Sequence, residues 1–232
     1  MNVRPPEPEY ILKPLASVRK AIAQRVADCF RHVPQFDLHV EIDASLMVEA
    51  RQYYKSKIDD ITPGYNDMLI LSCARILESH QGLNAHFTDQ GVKEFKETNI
   101  GFAVATPIGV LMPVIRNVGS KSILDIAAEA KDLGAAAKQI KLRASLQMHG
   151  TFSISSLGGF GIDAFNAIIC APQVAILAAG AVKQRPFNKQ GQILSVPTLN
   201  LTLTVDHRAV DGADAAAFLS DLKTELENFK YD

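Results

Sequence analysis

The chain has 232 residues, 47% of them hydrophobic, and its 24 Lys and Arg against 25 Asp and Glu leave a net charge of −1. That length supports one large domain with a substantial core, and a near-neutral balance with no basic block argues against a general nucleic-acid binder. The longest apolar runs, such as Val174 to Val182, fall far short of a membrane span. Cys29, Cys73 and Cys170 are odd in number and show no Cys-x-x-Cys spacing, so with no secretory signal visible they read as free thiols of a reducing compartment.

Residues 1–14 hold Pro5, Pro6, Pro8 and Pro14 among mixed charges and read as an extended leader or linker end, leaving 15–232 as one domain. Ser17 is placed to cap a helix through about Arg31, with Val18, Ile22, Val26 and Cys29 or Phe30 on one side. Residues 36–42 alternate apolar with polar and predict a strand. Asp43 then caps a helix from Ala44 to about Ile58, with Leu46, Met47, Ala50, Tyr54 and Ile58 inward. After a turn at 61–64, Asn66 or Asp67 opens a more apolar helix through about Ser79. Residues 83–87 and 92–95 predict a short antiparallel pair.

Residues 99–106 and 110–115 flank Pro107-Ile108-Gly109 and predict a hairpin, in which Pro113 disrupts one ladder position. Ser122 to about Ile140 is an Ala-rich helix with Ile123, Ile126, Ala127, Ala130 and Leu133 on one stripe, and Gly134 marks its end or a close contact. Residues 150–161 run from a strand into a glycine-rich loop, 173–182 form a buried strand, and Gly191 marks a small hairpin before the last strand. Helices intermixed with hairpins fit an α/β (α+β) two-layer sandwich, a mixed sheet covered by helices, better than a pure βαβ array.

Residues 197–205 alternate Leu and Val with Thr and Asn, the period of a strand. From Ala213 onward, Ala217, Phe218, Leu222, Leu226 and Phe229 mark one face of a helix. Between them stands Asp206-His207-Arg208-Ala209-Val210-Asp211-Gly212, with Asp211 at the N-cap position. His207 thus sits at a strand end, rigid and open to a ligand, where an imidazole works as a proton acceptor. A lone histidine there is most often structural, and a lone Asp211 is most often a cap. The combination is more specific, because it joins a titratable base, a charge partner and a carboxylate within one turn. Gly158-Gly159-Phe160-Gly161 has neither dinucleotide-binding spacing nor a P-loop lysine and reads by itself as a turn. His32, His39, His80, His86 and His149 match no metal spacing and read as structural or surface residues.

Asp206 to Gly212 resembles the signature of the dihydrolipoamide acyltransferases, the core components of 2-oxo acid dehydrogenase complexes; chloramphenicol acetyltransferase carries a related His-x-x-x-Asp-Gly on the same fold. Residues 150–161 resemble the family's Gly-Thr-Phe-Thr-Ile-Ser-Asn-Leu-Gly segment, residues 19–25 its opening helix, and 99–115 its central hairpin. The resemblance runs from about Leu12 to Phe229. It implies a chloramphenicol acetyltransferase-like fold and transfer of an acyl group between a dihydrolipoyl thiol and coenzyme A. His207 would be the base, Ser155 the donor to the oxyanion, and Asp211 a holder of local geometry, with Arg19 as its partner. It further implies coenzyme A or acetyl-CoA as substrate, no metal, and a lipoyl group supplied by a lipoyl domain outside this chain. The implied partners are two further copies in a homotrimer with sites between subunits, the lipoyl domain and other components of the complex, in a bacterial cytoplasm or mitochondrial matrix. Residues 160–162 and 165–169 look most like the acetyl-transferring (pyruvate) branch.

The chain departs from the family in having Ser156 in place of Asn and Cys170-Ala171 in place of Asn-Pro. Its ending, Asn228-Phe229-Lys230-Tyr231-Asp232, lacks the apolar tail of cage-forming members, so trimers are expected rather than a large cage. Two alternatives stay open: a coenzyme A-dependent acetyltransferase acting on a small hydroxyl compound, and a scaffold subunit without chemistry.

Overall fold

The computed structural model describes residues 7–57 and 61–231. Its elements in chain order are α1 (Ser17–His32), β1 (Gln35–Asp43), α2 (Ser45–Lys57), α3 (Tyr65–Leu77), β2 (Ala85–Thr88), β3 (Gly91–Glu94), β4 (Ile100–Phe102), β5 (Val104–Thr106), β6 (Gly109–Leu111) and β7 (Val114–Ile115), then α4 (Ile123–Lys138), β8 (Phe152–Ser156), β9 (Ala175–Ala179), β10 (Lys183–Lys189), β11 (Gln192–Asp206) and α5 (Gly212–Glu227). Residues 7–16 carry no regular element.

The main sheet runs β1-β11-β9-β8-β4-β7, with β10 also on β11. β8 is parallel to both β4 and β9, and the other pairs are antiparallel. It is the mixed sheet expected. The alternation of β11 gives it two working faces. Leu199, Leu201, Leu203 and Val205 join the main core with α2, α3, α4 and α5. Thr198, Thr202 and Thr204, on the other face, are buried and bonded to β1: Thr198 donates to Glu41 at 2.9 Å, Thr202 bonds the His39 Nδ1 at 2.9 Å, and Thr204 donates to Asp37. Buried hydroxyls with partners carry little penalty, which lets a polar strand face be closed over.

The second face is covered by α1 and by residues 157–172. Cys29 of α1 and Val33 just beyond it pack with Ala167, Ile169, Ile176 and Ala178 in a separate apolar cluster. Its expected inner stripe otherwise faces outward, since Val18, Val26 and Phe30 are exposed in the single chain. Ser17 is the first helical residue and not the cap, which is Ala16 without a side-chain bond. Asp43 does lie at the start of α2, where its Oδ1 accepts from the Ser45 amide at 2.9 Å. Ile58, expected to face inward, lies outside the described residues.

Three other local expectations change. The hairpin of 99–115 splits. β4 and β7 join the main sheet, while β5 and β6 form a pair of their own. Pro113 has no amide to donate, and the Ala103 amide turns to Ile154 O at 2.9 Å. α4 passes straight through Gly134, around which nothing lies within 4 Å of an added Cβ; the helix ends at Lys138. In α5 the inward small residue is Ala215, whereas Ala217 is exposed. Among the described residues no helix is long and apolar enough to cross a membrane.

Candidate active site

β11 ends at Asp206 and hands the chain to a turn that carries His207. Four backbone bonds fix this turn. The Asp206 amide donates to Val174 O at 2.8 Å, the His207 amide to Pro34 O at 3.1 Å, and the amides of Ala209 and Val210 to Asp206 O at 3.0 and 3.1 Å. The imidazole itself projects outward and is 54% exposed. It lies against the Phe36 ring at a centroid distance of 4.6 Å, and its Nδ1 is 3.8 Å from Asp211 Oδ1. That is longer than a hydrogen bond and short enough for an ion contact.

Asp211 occupies the N-cap of α5 in extended geometry, but its carboxylate makes no capping bond. The N-cap reading is therefore right in position and wrong in bonding; the side chain turns to His207 instead. Its expected arginine partner is not found among the described residues. The Arg19 guanidinium lies against the turn at Gly109, within 3.2 Å of where a β-carbon would stand. Arg208 is committed to Asp206. The two ends of that pair differ in exposure: the Asp206 side chain is 2% exposed and that of Arg208 37%.

Ser155 is at the opposite end of the sheet. In register it pairs with Ala178 of β9, and Ala178 pairs with Thr202 of β11. His207 lies five residues beyond Thr202, so roughly 16 Å along the strands and about 9 Å across them separate serine from imidazole. One copy of the chain therefore holds His207 with Asp211 and holds Ser155 elsewhere. Ser155 is half-buried, and among the described residues its hydroxyl bonds to nothing, so its proton is free for a ligand. Its neighbours on the strand are engaged: Ser153 donates to Gln173 Oε1 at 2.6 Å, and Ser156 accepts from the Gly158 amide at 3.3 Å.

The glycine-rich loop lies tightly on the sheet after Ser156. A side chain at Gly180 would stand 2.0 Å from Asp163 O, so only glycine lets the loop approach this closely. Beside it opens a groove of about 750 Å³, where the C-terminal ends of β8 and β9 meet the start of α3. Ser156, Phe102 and Leu199 line it with Arg51, Tyr65 and Lys131. Arg51 lies over the Tyr65 ring at 5.6 Å. Burial raises the pKa of Asp67 in the same wall, offset in part by its bond from the Gly64 amide. These residues come from distant elements, so no local pattern announced the groove.

Four of the remaining histidines are engaged structurally: His32 with Asp28 O, His39 with Thr202, His80 with Asp221, and His86 with Gly150 O. Among the described residues no group of three or more His, Cys, Asp and Glu is placed to hold a metal. The three cysteines are free thiols.

Residues 7–231 match the family model for 2-oxoacid dehydrogenases acyltransferase (catalytic domain). The chain is 37% identical over 228 residues to the dihydrolipoyllysine-residue acetyltransferase component of the pyruvate dehydrogenase complex of Rickettsia bellii, covering 97% of this chain and 54% of the relative. It thus spans about half the length of the curated relatives it matches. A solved structure of Azotobacter vinelandii dihydrolipoamide acetyltransferase matches with a TM-score of 0.92 at 31% identity, over 97% of this chain and 98% of that one. That work concerned the role of one serine, one histidine and one asparagine in the enzyme's catalytic mechanism. The cubic core of a pyruvate dehydrogenase multienzyme complex matches at 0.91 and 32% identity, over 97% and 98%. Chloramphenicol acetyltransferase, at 14% identity and a TM-score of 0.50 over 94% and 99%, shares the fold alone.

Proposed function

The chain belongs to the family of 2-oxoacid dehydrogenase acyltransferase catalytic domains, and on that premise we propose that it transfers an acetyl group between coenzyme A and a dihydrolipoyl thiol. The observation that carries this reading is the spacing of the three candidate residues. The serine, histidine and asparagine of the Azotobacter enzyme are separated by 52 and 4 positions, as Ser155, His207 and Asp211 are here.

His207 takes the proton of the attacking thiol. With Asp211 beside Nδ1, Nε2 is the nitrogen that faces the sulfur. Histidine suits the task because its ordinary pKa lies nearest neutrality, and a thiol of pKa about 8.5 costs little to ionise beside it. The thiolate attacks the thioester carbonyl, and the new oxyanion accepts a hydrogen bond from the free Ser155 hydroxyl. Collapse breaks the carbon–sulfur bond to the other thiol, which regains the proton from His207. No acyl-enzyme forms.

The separation of Ser155 from His207 within one chain supports a site to which different copies contribute them. A trimer, with His207 of one subunit facing Ser155 of the next, provides such a site. Exposed apolar side chains support it: Ile11 is 85% exposed, Phe30 67% and Phe160 74%, all in α1, the segment before it and the glycine-rich loop. Patches of that kind mark surfaces that another protein covers. The groove beside Ser156 is the place we assign to coenzyme A, with Arg51 and Lys131 as the cations for its phosphates. Ligands of mixed sheets gather at such carboxyl ends of parallel strands. The dihydrolipoyl group is supplied by a lipoyl domain, and the other components of the complex are the working partners, in a bacterial cytoplasm or mitochondrial matrix.

The test is turnover of acetyl-CoA with free dihydrolipoamide, followed as thioester formed and coenzyme A released. Dihydrolipoamide-dependent turnover is the expected result. A well-folded trimer with no turnover overturns acetyl transfer to this acceptor; turnover of small hydroxyl compounds in its place makes the chain a hydroxyl acetyltransferase, and none with any acceptor makes it a scaffold.

A further inference from the structure

His207 has no strong bond of its own, and the two residues flanking it bond to each other. Arg208 Nε donates to Asp206 Oδ1 at 2.9 Å and Nη2 to Oδ2 at 2.7 Å, while the Arg208 amide donates to Oδ1 at 3.0 Å. The guanidinium also stacks on the Phe87 ring, 4.0 Å from its centroid. Asp206 is in turn locked by its own amide to Val174 and by its carbonyl, which accepts from Ala209 and Val210. The peptide of His207 is thus spanned by a fork on one side and by the strand on the other.

We infer that Arg208 is a positioning residue, whose bidentate clamp on Asp206 over Phe87 sets the direction of the His207 imidazole. The inference rests on the acyl-transfer reading. Arginine is needed because its planar fork offers two parallel donors to a carboxylate and a flat face to a ring. Lysine keeps the charge and loses both. A base must reach its proton within a fraction of an ångström, so a loosened turn costs rate and leaves the binding of a distant ligand unchanged.

The test is Arg208→Lys in the assembled protein, assayed for kcat and for the KM of acetyl-CoA, with unfolding temperature and oligomeric state recorded. The expected result is a kcat 10- to 100-fold lower, at roughly the scale of a displaced catalytic group, with KM within about twofold. A folded trimer that keeps kcat within about twofold overturns the inference, and so does a rise in KM at constant kcat, which makes Arg208 a ligand contact. Should Arg208→Lys not assemble, Phe87→Leu loosens the same clamp and leaves both charges in place. A kcat at least about threefold lower with KM unchanged then supports the inference, and unchanged kcat contradicts it. Inactive wild-type protein defeats the acyl-transfer reading itself, whereas active wild type with fully active variants defeats only the clamp.

Discussion

Replacing His207 by alanine is expected to lower kcat for acetyl transfer by about 1,000-fold or more, with the KM for acetyl-CoA nearly unchanged. General bases contribute about 10² to 10⁴ in rate, and among the described residues the carboxylate recorded beside the imidazole is that of Asp211. The loss should appear in kcat because the imidazole acts on the thiol proton and not on the body of the coenzyme. The fold should tolerate the change. The ring is more than half exposed and packs on Phe36, and the bonds that shape the turn are made by backbone groups and by Asp206. A comparison at equal oligomeric state checks this: a variant that assembles and still turns over within tenfold of wild type removes His207 from the mechanism.

The second large effect is expected at Ser155. Removing one donor to an oxyanion costs about 10² to 10³ in kcat, so Ser155→Ala should lose kcat on that scale. It should unfold within about 2 °C of wild type. The reason is the same observation from two sides. The hydroxyl has no protein partner among the described residues, so its removal orphans nothing, while in the reaction it is the group aimed at the new charge. Ser153→Ala offers the contrast, because that hydroxyl is buried and bonded to Gln173. Its loss leaves an unpaired buried amide oxygen. A Ser155→Ala variant that is unstable, or fully active, contradicts the role given to it.

Much of this site was legible in the sequence because its parts lie in short, strongly patterned runs. The alternation of 197–205 followed by an apolar helical stripe placed His207 at a strand end, and the structure keeps it there. The glycine-rich segment placed Ser155 before a tight loop. What the sequence concealed was distance and direction. Asp211 sits at the predicted cap position, but its carboxylate makes no capping bond and lies 3.8 Å from the imidazole Nδ1. The stripe of α1 follows the expected period, yet only Cys29 is buried while Val18, Val26 and Phe30 face outward, since periodicity reports an apolar face and not what covers it. Gly134 signalled a break in α4 that surrounding helix propensity overrides. The 99–115 hairpin split because Ala103 found a partner in Ile154, more than 50 residues away. Arg51 and Lys131 come to one groove from α2 and α4, and nothing in either helix marks them. The Asp206–Arg208 fork was within a readable motif, but only the geometry shows that the two residues clamp each other and leave His207 between them.

A working site shared between two copies of the chain is open to a co-assembly experiment. His207→Ala and Ser155→Ala subunits, each inactive alone, are unfolded together at equal amounts and refolded, and the mixed trimers are assayed. If each site takes its histidine from one subunit and its serine from the next, random mixing restores an intact pair at about one site in four. Activity near a quarter of wild type is expected. Mixed trimers as inactive as either parent would place both residues of each site in a single chain and contradict it.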